Sequence, residues 1–121
     1  MENFSEILKK RTKVFALEII KLYQSLPKTG EAKVIGNQLL RSGTSIAANY
    51  RAACRGRSDK EFFAKICIVI EEADETLFWL ELLKESGIMD NKNIDNLIIE
   101  SEEILKIMVS TRQKLKSKKK N

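Results

Sequence analysis

The stretch Leu39–Phe63, "LLRSGTSIAANYRAACRGRSDKEFF", decides how the chain is read. Its middle is soft and small-residued, three arginines follow within residues 51–57, and then it switches to acid and aromatic. A phosphate-cradling loop would need the spacing G-x-x-x-x-G-K-[ST], which is absent. At about 100° per residue, Ala32, Ile35, Leu39, Gly43, Ile46, Ala47, Tyr50 and Ala53 gather on one side of a helix. Arg41, Arg51 and Arg55 gather on the opposite side. A flexible loop has no reason to sort its residues in this way. The stretch therefore reads as helix, and Gly36, Gly43, Ala47 and Cys54 as a small-residue seam that lets another helix backbone come close.

The same stretch supplies a stop and a start. Gly56 can end the helix in the left-handed conformation. Ser58 with Glu61 matches the capping pattern S-x-x-E just before an apolar run, so a tight turn around Arg57 separates two helices. Working outward, four periodic segments emerge: about 5–26, 31–55, 58–86 and 93–115. The first is striped by Phe4, Leu8, Phe15, Ile19, Leu22 and Leu26 and stops at "LPKTG". Arg11 falls inside that stripe, either snorkelling near the helix start or paired with an acid from another helix. The third ends at Gly87, with Asp90 or Asn93 offered as the next cap. The fourth carries Ile94, Leu97, Ile98, Ser101, Ile104, Leu105, Met108 and Leu115. With a single proline and five glycines in 121 residues, breakers are few and elements long. The expected fold is all-α: an antiparallel up-and-down four-helix bundle over residues 1–115, with 116–121 a basic disordered tail.

The third segment differs from the others. Phe62, Ile66, Ile70, Ala73, Leu77 and Leu80 form one apolar face, yet Ile68, Phe78, Trp79 and Leu82 fall well away from it. A helix with two apolar sides is buried on two sides. In a chain this short, the second side is expected to meet another copy, so Ile68, Phe78, Trp79 and Leu82 are the candidate oligomer interface.

Net charge is +5, distributed unevenly. Residues 31–57 carry five basic residues and one acid, residues 58–89 three basic and eight acidic, and the last ten six basic and none acidic. No apolar run approaches the ~18 residues of a membrane span, and "MENFSEILKK" lacks the pattern of a signal peptide. The expectation is a cytosolic protein with no membrane partner. There is no histidine, and Cys54 and Cys67 are the only cysteines. They read as small buried hydrophobes rather than a disulfide or metal pair. Glu72, Asp74 and Glu75 could be imagined as a carboxylate pair, but the E-x-x-H pattern of bundle metalloenzymes needs histidine. No nucleophile–base pair presents itself. The expectation is no enzyme, no catalytic residue, no metal and no cofactor.

"NQLLRSGTSIAANYRAACRGRSDKEFFAKICIVIEEADETLFWLELL", Asn37–Leu83, resembles the signature of the four-helix bundle proteins called the 23S rRNA intervening-sequence family. "IIKLYQSLPK", Ile19–Lys28, is similar to that family's first helix and turn. At Ala52 relatives often carry glutamate. The resemblance implies an up-and-down bundle and a ring of five subunits, a homopentamer. It extends to the accessory variability proteins of diversity-generating retroelements, which implies a basic pentamer that binds nucleic acid.

Two functional readings follow. In the first, a homo-oligomer binds RNA or DNA through Arg41, Arg51, Arg55 and Arg57, with a basic arm of Lys114, Lys116, Lys118, Lys119 and Lys120. In the second, the protein is an interaction scaffold for another protein. Its arginines then serve ion pairs to acids of the third helix, in the same or a neighbouring subunit.

Overall fold

The computed structural model describes residues 3–119. Among them, four α-helices and no strand are present: α1 Phe4–Ser25, α2 Gly30–Cys54, α3 Asp59–Glu85 and α4 Lys92–Lys119. Each start is fixed by a short polar side chain that accepts an otherwise unpaired backbone N–H. Asn3 accepts from Glu6, Thr29 from Ala32 and Ser58 from Glu61. The fourth start is capped by Asn91, whose Oδ1 accepts from the Ile94 N–H at 3.0 Å. Neither Asp90 nor Asn93, the two expected caps, holds this place.

The two helix stops differ from each other. Gly87, after α3, has φ +79° and is the left-handed glycine of the described chain. Gly56 does not have a positive φ. There α2 ends by tightening its last turn: Arg55 N–H bonds Ala52 O at 3.1 Å and Gly56 N–H bonds Ala53 O at 3.0 Å. With the terminal carbonyls satisfied in that way, no left-handed residue is required. Glycine is favoured at 56 for room, since a β-carbon there would lie 3.1 Å from Ala53 O.

Cross-helix registers show the topology. A β-carbon on Gly36 would meet Leu26 Cδ1 at 2.8 Å, and one on Gly43 would meet Ile19 at 3.0 Å. As α2 advances, its partner on α1 recedes, so the two are antiparallel. Ser42 on α2 faces Thr76 on α3, with their hydroxyls 2.9 Å apart. Thr76 Oγ1 lies 2.7 Å from Glu72 O. A hydroxyl has one proton, so Thr76 shares its own between Ser42 Oγ and that carbonyl, while Ser42 donates to Leu39 O at 3.3 Å. On α4, Asp95 receives Lys84 of α3 at 2.6 Å, while Lys118 reaches back to Asp59 at 3.3 Å. The bundle is therefore up-and-down, with α1 and α3 at opposite corners, no Cα pair between them lying within 8 Å among the described residues.

Leu8, Phe15, Ile19 and Leu22 of α1 meet Leu39, Ile46 and Tyr50 of α2, Ile66, Ala73 and Leu80 of α3, and Ile94, Leu97, Ile104 and Met108 of α4 in one core. Phe4, expected to begin the α1 stripe, is 61% exposed, since it sits at the first helical position, where the stripe has run past its neighbours. Arg11 is paired rather than snorkelling. Its guanidinium donates twice to the Glu100 carboxylate, both at 2.7 Å, and lies 3.3 Å from Glu103. The Glu100 bonds hold its pKa above the ordinary arginine value. Cys54 and Cys67 are half-buried free thiols. The helix α4 runs past Leu115 to Lys119, into residues expected to form the tail. Lysine is a good helix former, its charge suits a helix C-terminus, and Lys118 is tied to Asp59.

Candidate nucleic-acid interface

The antiparallel register brings the first half of α1 beside the last half of α2. Between them runs an open groove of about 480 Å³. Its α1 wall is Glu6, Lys9, Lys10 and Lys13; its α2 wall is Arg51 and Arg55, with Ala47 and Ala48 between. The pairs Lys9–Lys13 and Arg51–Arg55 are each spaced i,i+4, which places both members on one helix face. The single carboxylate, Glu6, is held by Lys9 at 2.5 Å. Among the described residues, no ion pair or hydrogen bond neutralises the guanidinium of Arg51 or Arg55. Ammonium and guanidinium groups only donate, so the groove suits a ligand rich in anionic acceptors. The alanines leave room for that ligand to approach the α2 backbone.

The sequence reading anticipated Arg51 and Arg55 but not Lys9, Lys10 and Lys13. Arg57 lies nearby at the exposed α2–α3 turn, where it lines a shallow depression with Asp59, Ser5, Cys54, Ser58 and Phe62. Lys114, Lys116 and Lys118 are exposed on the last turns of α4. The Lys118–Asp59 pair brings that terminus to the same end of the bundle. Lys119 ends the helix, and Lys120 lies outside the described residues. One end of the molecule thus gathers cations from α1, α2, the α2–α3 turn and α4.

Arg41 is elsewhere. It crosses to α3, with Nη1 3.1 Å from Glu72 and Nη2 2.5 Å from Glu75. Glu75 also accepts from Trp79 Nε1 at 3.2 Å. The Arg41 hydrogen bond holds the Glu75 carboxyl below its ordinary pKa, and the Glu75 bond holds Arg41 above its own. Ion pairing to α3 acids, the alternative reading of the arginines, is made within the chain by Arg41, while Arg51 and Arg55 make none there among the described residues.

The sequence model of 23S rRNA-intervening sequence proteins matches residues 6–110. The chain belongs to this family. A solved structure from Bacteroides thetaiotaomicron, described as a protein with unknown function from the S23 ribosomal protein family, superposes with a TM-score of 0.80 at 36% identity. The alignment covers 86% of the present chain and 96% of that one. No curated protein sequence matches. In this intervening-sequence protein, the candidate interface residues Ile68, Phe78, Trp79 and Leu82 share the outer face of α3. Phe78 is 52% exposed. Trp79 is half-buried, partly against the core, and meets Phe78 edge-on at a centroid distance of 5.0 Å. No helix of the described chain is long and apolar enough to cross a membrane.

Proposed function

We propose that this protein is a non-enzymatic, cytoplasmic homo-oligomer, a pentamer by family resemblance, that binds RNA or DNA through the phosphates. The observation that carries the reading is the α1–α2 groove, where Arg51 and Arg55 stand with lysines and a single, already engaged, carboxylate. Acids are plentiful on α3, yet they neutralise Arg41 and leave the groove cationic. Such a surface binds phosphate backbones with little base selectivity and strong salt dependence. Repetition of the basic end around an oligomer would raise avidity without any new contact. The family's name, which refers to an intervening sequence of 23S rRNA, and the resemblance to accessory variability proteins both support a nucleic-acid role.

The exposed apolar face of α3 favours a second reading, an interaction scaffold for another protein. Titration of full-length protein against mixed RNA and mixed DNA near 50 mM salt, where phosphate contacts are strongest, separates the two. Retarded complexes that dissolve as salt rises are expected. No complex with either polymer would transfer the weight to the scaffold.

A further inference from the structure

Two apolar stripes on opposite corners of the bundle are left uncovered by the chain's own packing. On α1, Ile7, Val14 and Leu17 are large exposed hydrophobics, Leu17 at 51%. With Lys10 and Lys21 they occupy positions 7, 10, 14, 17 and 21, alternating steps of three and four. On α3, Ile68, Phe78 and Leu82 join Glu71 and Glu75 at positions 68, 71, 75, 78 and 82, with the same alternation. That period is the seam by which one helix packs along another. The α1 seam carries Lys10 and Lys21, and the α3 seam carries Glu71 with Glu75, the latter already engaged by Arg41. Because α1 and α3 stand at opposite corners, with no Cα pair within 8 Å, and meet only through inward-facing core side chains, one outward seam cannot cover the other in the same molecule.

We propose that the α1 seam of one copy is the docking site for the α3 seam of a second copy. This rests on the homo-oligomer reading above and specifies how it is built. Pairing α3 with α3 would bring two acidic seams together, and like charges across an interface disfavour the match. The other exposed aliphatics fit less well. On α4, Ile99 and Val109 are exposed with the same alternation, but Glu102 and Glu103 beside Lys106 give that face mixed charge rather than the cationic character that suits an acidic α3. On α2, Val34 has no second large exposed hydrophobic beside it. A contact between two different faces is head-to-tail, so each copy has one of each to offer, and the chain of copies forms a ring where the rotation between them closes. Rotation about an axis along the bundle keeps every copy pointing the same way. The helices α1 and α3, parallel within one bundle, are then parallel across the contact, and all the basic ends lie on one side of the ring.

A complementation experiment tests the pairing without assuming a register. Leu17→Asp spoils the α1 seam and Phe78→Asp spoils the α3 seam, both at exposed positions where the fold tolerates charge, as circular dichroism checks. Each variant alone should scatter light as a monomer of 13.9 kDa. Mixed in equal amounts, up to the highest soluble concentration, they should give a discrete dimer of one copy of each. The Leu17→Asp copy keeps a sound α3 seam for the sound α1 seam of its partner, and the two spoiled seams cap the pair. Assembly of Leu17→Asp alone to the wild-type size, or a mixture that stays monomeric, would overturn the pairing while leaving an oligomeric wild type to be explained by other faces. A wild type that is itself monomeric would overturn the oligomer reading and this contact with it.

Discussion

Ile19 and Gly43 pack so closely that a β-carbon at position 43 would lie 3.0 Å from both Cγ atoms of Ile19. The glycine is the point at which α2 approaches α1, and Ile19 is fully buried there. Gly43→Leu should overpack the contact at a cost of about 1–3 kcal/mol. Thermal unfolding should then fall by about 4 °C per kcal/mol in a domain of this size. An unchanged or higher midpoint would contradict the close approach.

The Arg41–Glu75 pair makes a prediction with a definite sign. Hydrogen bonding to Arg41 holds the Glu75 carboxyl below its ordinary value of 4.5. The folded state therefore binds this proton less tightly than the unfolded state. The pair's contribution is complete above the ordinary value and is lost as pH falls through the folded value. Both groups are partly solvated, so the contribution is small, about 0.2–1 kcal/mol. Urea midpoints of wild type and Glu75→Gln should differ at pH 7 and converge as pH falls below the ordinary carboxylate range. A difference that persists undiminished in acid would show that Glu75 acts through packing instead.

What the sequence disclosed, it disclosed helix by helix. The sorting of Leu39, Gly43, Ile46 and Tyr50 placed α2 and its buried face, and the Ser58–Glu61 spacing placed the start of α3. Both are local properties of one helix. The groove belongs to two helices at once, so Lys9, Lys10 and Lys13 gained meaning only when the antiparallel register set them beside Arg51 and Arg55. A helical projection also discards height. Arg41 shares a face with Arg51 but sits about 15 Å along the axis from it, level with Glu72 and Glu75. Asn91 was missed as a cap because Asp90 and Asn93 offer the same chemistry one and two residues away.

The end of α4 carries a prediction of its own. Removing residues 114–121 deletes five lysines per chain, including Lys118, which anchors the last turn to Asp59. Affinity for RNA or DNA should drop, and log affinity should vary less steeply with log salt, because fewer counterions are released. Weaker binding with an unaltered slope would show that the segment contributes structure rather than phosphate contacts.

The groove itself is tested most directly by the salt dependence of binding in two arginine variants whose assembly is unchanged. Each phosphate neutralised on duplex DNA adds about 0.9 to the steepness of log affinity against log salt. Arg51→Ala combined with Arg55→Ala should make the slope shallower by roughly two for each groove that the DNA occupies. Arg41→Ala removes one positive charge, from a side chain already held by Glu72 and Glu75, and should leave the slope where it was. A slope that flattens with Arg41→Ala and not with the Arg51 and Arg55 pair would contradict the assignment of the α1–α2 groove as the phosphate-binding surface.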